Sequence, residues 1–110
     1  MSQVTTHVLD AALGTPAAHV GVTLDRRAED RWDAVGSGAT DADGRITALG
    51  PDRLEPGVYR LTFATGDYFE ATRRPSFYPE VQITFRVSGT EHFHVPLLLS
   101  PFAYSTYRGS

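Results

Sequence analysis

The sequence predicts an all-β fold, a sandwich or barrel of about eight short strands in one domain spanning residues 1–110. Runs in which apolar and polar residues alternate recur along the chain, and turns rich in Gly, Pro and Asp separate them. Only one stretch has room for a helix. A chain of 110 residues can enclose one hydrophobic core and is too short for two.

Residues 3–9 read as the first strand, with Val4, Thr6 and Val8 on one face and Thr5, His7 and Leu9 on the other. Gly14, Thr15 and Pro16 mark the turn after it. Residues 18–26 alternate through Val20, Val22 and Leu24, and 32–40 form a weaker strand ending near Gly36-Ser37-Gly38. Asp41-Ala42-Asp43-Gly44 is a strong turn, leaving 45–47 as a short strand. Residues 57–65 alternate clearly, with Tyr59, Leu61 and Phe63 together. Residues 67–74 are the helix candidate, capped by Asp67 and stopped by Pro75. Strands over 79–87, 91–100 and 102–108 complete the chain, the last two hinged at Ser100-Pro101.

Composition narrows the function. With no cysteine, disulfides and thiolate metal sites are excluded, and with ten arginines and no lysine, so is Schiff-base chemistry. A net charge of −3 without a basic stripe argues against nucleic acid. No apolar run approaches membrane-spanning length, the first residues lack a secretory pattern, and the last three are not a peroxisomal tripeptide. The expectation is a cytoplasmic protein with no membrane partner.

Four histidines are the chemically interesting residues: His7, His19, His92 and His94. Along 91–100, Phe93, Val95, Leu97 and Leu99 form a core face, so His92, His94, Pro96 and Leu98 point out. Pro96 lacks a ladder donor and calls for an edge or bulged position. An outer face bearing Pro96 and Leu98 is too apolar for water alone and suggests contact with another subunit. His7 shares an outer face with Leu9 in the same way. A strand histidine is most often a surface or interface residue without chemistry, and for His19 and His92 that reading is preferred. His92 and His94 share a face and could chelate a metal, but the sequence fixes no further ligand near them. Arg45 alone reads as a surface arginine after a turn. Neither a nucleophile elbow nor a phosphate loop occurs. Pattern alone therefore stops at an oligomeric β-sandwich with an unexplained pair of histidines.

The C-terminal nineteen residues go further. His92-Phe93-His94-Val95-Pro96-Leu97-Leu98-Leu99-Ser100-Pro101-Phe102-Ala103-Tyr104-Ser105-Thr106-Tyr107-Arg108-Gly109-Ser110 resembles the C-terminus of the 5-hydroxyisourate hydrolases, with Tyr107-Arg108-Gly109-Ser110 as their signature tetrapeptide. Thr6-His7-Val8-Leu9-Asp10 with Gly14-Thr15-Pro16-Ala17, and Asp43-Gly44-Arg45, are similar to two further motifs of that family, in its order and approximate spacing. Transthyretin, the hormone carrier on the same fold, is similar through Leu98-Leu99-Ser100-Pro101 and Tyr104-Ser105-Thr106 but lacks the tetrapeptide, and has no histidine at the positions of His7 and His94.

The resemblance implies a transthyretin-like sandwich of two four-stranded sheets with one short helix. It implies a homotetramer built as a dimer of dimers, whose central channel is lined by the first strand and the last two; Ser105, Tyr107 and Gly109 would share that lining. It implies hydrolysis of 5-hydroxyisourate in urate degradation, with no metal and no organic cofactor. Carried over by motif, His7, Arg45 and His94 are the catalytic positions, and His7, Arg45, Tyr107 and Ser110 bind substrate. A histidine titrates near neutral pH and suits proton transfer to and from water and a leaving nitrogen. Which of the two is base and which acid, the sequence leaves open. Arg45 would present a fixed fork of donors to ring carbonyls and to the developing oxyanion.

Overall fold

A computed structural model describes residues 1–110. In chain order the elements are β1 (Val4–Asp10), β2 (Thr15–Pro16), β3 (Gly21–Ala28), β4 (Arg31–Ala39), β5 (Arg45–Ile46), β6 (Gly57–Phe63), α1 (Thr65–Ala71), β7 (Val81–Val87), β8 (Phe93–Ser100) and β9 (Ala103–Thr106). They form two sheets, one ordered β4-β3-β6-β7 and the other β2-β1-β8-β9 with β5 also paired to β1. The first has the four strands expected. The second has a fifth because β2 lies within a segment read as a turn; two residues are too few for alternation to register.

Alternation places the core where the sequence put it. Val22 and Leu24, Tyr59, Leu61 and Phe63, and Val81 and Val87 face inward from one sheet; Val4 and Val8, and Phe93, Val95, Leu97 and Leu99, face them from the other. Each side chain so removed from water contributes about 1.5–3 kcal/mol. Thr6 shares the inner face of β1, and its hydroxyl donates to the Val95 carbonyl at 2.6 Å, so no polar group is stranded there.

The helix differs from expectation at both ends. It begins at Thr65, with Ala64 at the cap and no side-chain cap. Its first donors are satisfied from outside: Ala64 N–H reaches the Gly21 carbonyl at 2.8 Å and Gly66 N–H the Pro79 carbonyl at 2.9 Å. It ends at Ala71, short of Arg74, because Arg73 turns into the left-handed region at φ 57°. That turn swings Arg74 onto Asp10. Asp10 is 1% exposed and accepts hydrogen bonds from Arg74 and from the Tyr68 hydroxyl. Burial alone would raise the Asp10 carboxyl; bonds from Arg74, Tyr68 and the Leu13 N–H outweigh it and hold the group below its ordinary value. The cluster ties α1 to the end of β1. No helix is long and apolar enough to cross a membrane.

β1 and β8 are the parallel pair at the middle of their sheet, in the register Thr5 to His94, His7 to Pro96 and Leu9 to Leu98. This register sets which outer side chains of β1 and β8 lie side by side.

Candidate active site

His7 faces outward from β1, half-buried. Opposite it in the antiparallel register is Arg45, the first residue of β5. The turn before β5 is built by Asp41, whose Oδ1 accepts from the Asp43 and Arg45 N–H groups, each at 2.9 Å. The Arg45 N–H bond leads the effects that lower the Asp41 carboxyl. Gly44 follows at φ +76°, and a Cβ there would lie 2.4 Å from the Val8 carbonyl, so only glycine lets the turn close on β1. The turn brings the Asp43 carbonyl to His7 Nε2 at 2.9 Å. A carbonyl can only accept, so Nε2 carries the proton and Nδ1 is the free nitrogen of the neutral ring. Arg45 is exposed and forms none of the chain's five ion pairs, which leaves its guanidinium free for a ligand.

On the other side of β1, the parallel register puts His94 two residues along from the partner of His7, roughly 8 Å away by strand spacing and rise. His94 Nδ1 lies 2.8 Å from the Thr5 hydroxyl, which also lies 2.9 Å from His92 Nε2. Burial, then repulsion from His92, His7 and Arg45, keeps the His94 imidazole below the ordinary histidine value, which favours the neutral ring. Three of the residues expected to act together thus share one outer face: His7, Arg45 and His94.

The C-terminal segment closes over this face, and two expectations change. Pro96 was expected at an edge or bulged site and pointing out; it shares the outer face of His7, but in a central strand and buried. Its missing N–H falls where the β8–β9 ladder lapses. Thr106 Oγ1 donates to the Pro96 carbonyl at 2.7 Å, the chain then departs, and Gly109 N–H returns to the His94 carbonyl at 2.8 Å. A Cβ on Gly109 would stand 2.6 Å from His94 Cδ2, so the returning backbone packs against the imidazole edge. Tyr107 lies beyond the end of β9 and is 57% exposed rather than continuing the face of Ser105. With His94, Phe93, Val95, Ile83 and Phe85 it lines a hollow of about 340 Å³. Ser110 is exposed and follows directly on Gly109.

Sequence reasoning missed Thr5, and set His92 aside. Thr5 sits two residues from His7 on one strand face, but only the pairing of β1 with β8 brings it to His94. His92 and His94 turn toward one hydroxyl, their rings 6.3 Å apart, and no third His, Asp or Glu joins them in a metal-holding group. His19 adopts a left-handed φ of 63° in the turn before β3, outside the cluster.

With this geometry in place, the likenesses to known proteins are specific. The family model of the HIUase/Transthyretin family matches residues 4–109. The chain belongs to that family. It is 49% identical to the 5-hydroxyisourate hydrolase of Caulobacter vibrioides, over the full length of both. It is 43% identical to that of Mus musculus, covering 99% of this chain and 96% of the mouse protein. Among solved structures, the Klebsiella pneumoniae 5-hydroxyisourate hydrolase superposes with a TM-score of 0.87 at 40% identity, covering 97% of this chain and 98% of that one. Transthyretin from Sparus aurata superposes with a TM-score of 0.93 at 32% identity, covering 99% and 97%.

Proposed function

We infer that this chain is an enzyme that hydrolyses 5-hydroxyisourate, the hydrolase of that step in urate degradation. The observation that carries the reading is the pair of imidazoles, His7 and His94, flanking one strand face with Arg45 directly across from His7. The sequence relationship to named hydrolases supports it. Backbone likeness to the carrier does not count against it, because one fold serves both activities and the site decides between them.

The substrate is a planar oxidised purine whose C6–N1 lactam is opened. His94, neutral and with Nδ1 occupied by Thr5, takes a proton from water through Nε2. The water oxygen bonds to C6, and the C6 oxygen takes up the negative charge. Arg45 donates to that oxygen from an exposed, unpaired guanidinium. Collapse breaks C6–N1, and His7, when protonated at Nδ1 as well as Nε2, delivers the proton that N1 needs. The product is 2-oxo-4-hydroxy-4-carboxy-5-ureidoimidazoline. Tyr107 and Ser110, beside the Gly109 bridge, hold the far side of the ring.

The working form we propose is a homotetramer, a dimer of dimers. Half-buried Leu9 and Leu98 stand beside the histidines on the outer face, and β9 and β7 end their sheets without a neighbour. Apolar residues and open edges of that kind are covered by other copies of a chain in symmetric assemblies.

Freshly prepared 5-hydroxyisourate decays with a change in ultraviolet absorbance. The protein should accelerate that decay far above the spontaneous rate. No acceleration, together with saturable binding of thyroxine, would assign the chain as a carrier instead.

A further inference from the structure

The Thr5 hydroxyl stands between two imidazoles, 2.8 Å from His94 Nδ1 and 2.9 Å from His92 Nε2. Thr5 is 4% exposed, so solvent offers its hydroxyl little alternative. A hydroxyl has one proton to give and lone pairs with which to accept. Two arrangements satisfy all three groups. In one, Thr5 donates to His92 Nε2 and accepts from His94 Nδ1–H, which leaves a lone pair on His94 Nε2. In the other, His92 Nε2–H donates to Thr5, Thr5 donates to His94 Nδ1, and the His94 proton sits on Nε2.

We propose that Thr5 and His92 are positioning residues that hold His94, through this hydrogen-bond chain, in the tautomer whose Nε2 accepts a proton from water. The inference rests on the hydrolase reading and on His94 as its base. His92 is exposed, so the proton absent from its Nε2 resides on the solvent-facing Nδ1. The charged groups around His94 are His7 on β1, Arg45 on β5 and His92 ahead of β8, and the C-terminal segment adds Arg108, paired to Glu91 at 3.3 Å. Of these, only His92 reaches His94 through a shared hydroxyl.

Nitrogen-15 spectra of the histidine-labelled assembly read the tautomer without any turnover. Neutral His94 should show a protonated Nδ1 and a bare Nε2 in the unsubstituted protein, and a mixture in Thr5→Val. Turnover by Thr5→Val should fall about tenfold in kcat at little change in KM, the worth of one hydrogen bond, and Thr5→Ser should restore it. Should Thr5→Val fail to fold, His92→Ala removes the acceptor and should give the same mixture. A proton on His94 Nε2 in the unsubstituted protein, a tautomer that ignores both variants, or a kcat loss that serine does not repair would overturn the proposal. Absent turnover in the unsubstituted protein would instead strike the hydrolase reading, and the spectra would still decide the tautomer.

Discussion

The two sheets bury the same kind of inner face and present opposite kinds of outer face. On the β4-β3-β6-β7 sheet Arg60 is tied to its neighbours, although its Nε has no hydrogen-bond partner and Arg27 and Arg86 join no ion pair. Arg60 pairs with Asp25 at 3.5 Å and lies 4.2 Å over the Trp32 ring, and Arg31 pairs with Asp33 at 2.9 Å. On the β1–β8 sheet the outer charged group, Arg45, is unpaired, the imidazoles bond to a backbone carbonyl and a hydroxyl, and leucines stand beside them. A surface that leaves a guanidinium free and favours a neutral imidazole is arranged for something to arrive.

Substitutions should separate the two faces, and the largest effect belongs to the β1–β8 side. Arg45→Ala and His94→Ala should each slow 5-hydroxyisourate turnover by at least about a hundredfold with unchanged thermal unfolding, since each removes a group used in the transition state. Steady-state rates beside melting curves check this, and equal rates would place the reaction elsewhere. Asp10→Asn acts beneath that face. It should cost about 2–3 kcal/mol in denaturant unfolding by breaking a buried pair. Because folding lowers the Asp10 carboxyl, its stabilisation is complete above the unfolded-state value, about pH 4, and fades as pH falls through the folded one. Unfolding followed down to acid should show the unsubstituted protein converging on the variant.

Gly109→Ala forces a methyl against His94 and should reduce kcat about tenfold while the fold survives. A normal rate would mean that the C-terminal segment does not seat the imidazole. Arg60→Ala, on the outer face of the other sheet, should leave turnover unchanged and cost under about 1 kcal/mol, as expected for a partly exposed pair. A turnover defect there would erase the contrast between the faces.

The sequence made the contrast partly visible. Alternation along β1 and β8 alone separated the buried valines and leucines from His7, Leu9, His94 and Leu98. It could not show that β1 and β8 are parallel neighbours, because that pairing joins residues some ninety positions apart and depends on which strands the sandwich brings together. Thr5 and His92 became meaningful only with that register. Pro96 keeps its expected outer face, but what accommodates it in a central strand was not visible: the gap in its ladder is made by the C-terminal segment leaving at Tyr107 and returning at Gly109, a tertiary event without a local signal. The helix start was misread for a related reason: its N-terminal donors are satisfied by Gly21 and Pro79 rather than by a capping side chain. The joint appearance of His7, Arg45 and His94 at one site was expected from resemblance to a family, and spacing in the chain would not have assembled them.

The most direct test is the initial rate of 5-hydroxyisourate decay with the double variant His7→Ala/His94→Ala, compared with the unsubstituted protein at equal concentration and equal oligomeric state. Loss of nearly all enzymatic acceleration is the result this account requires. A double variant that keeps the substrate turning over at a comparable rate would show that the two imidazoles are interface residues and that the chemistry, if any, lies elsewhere.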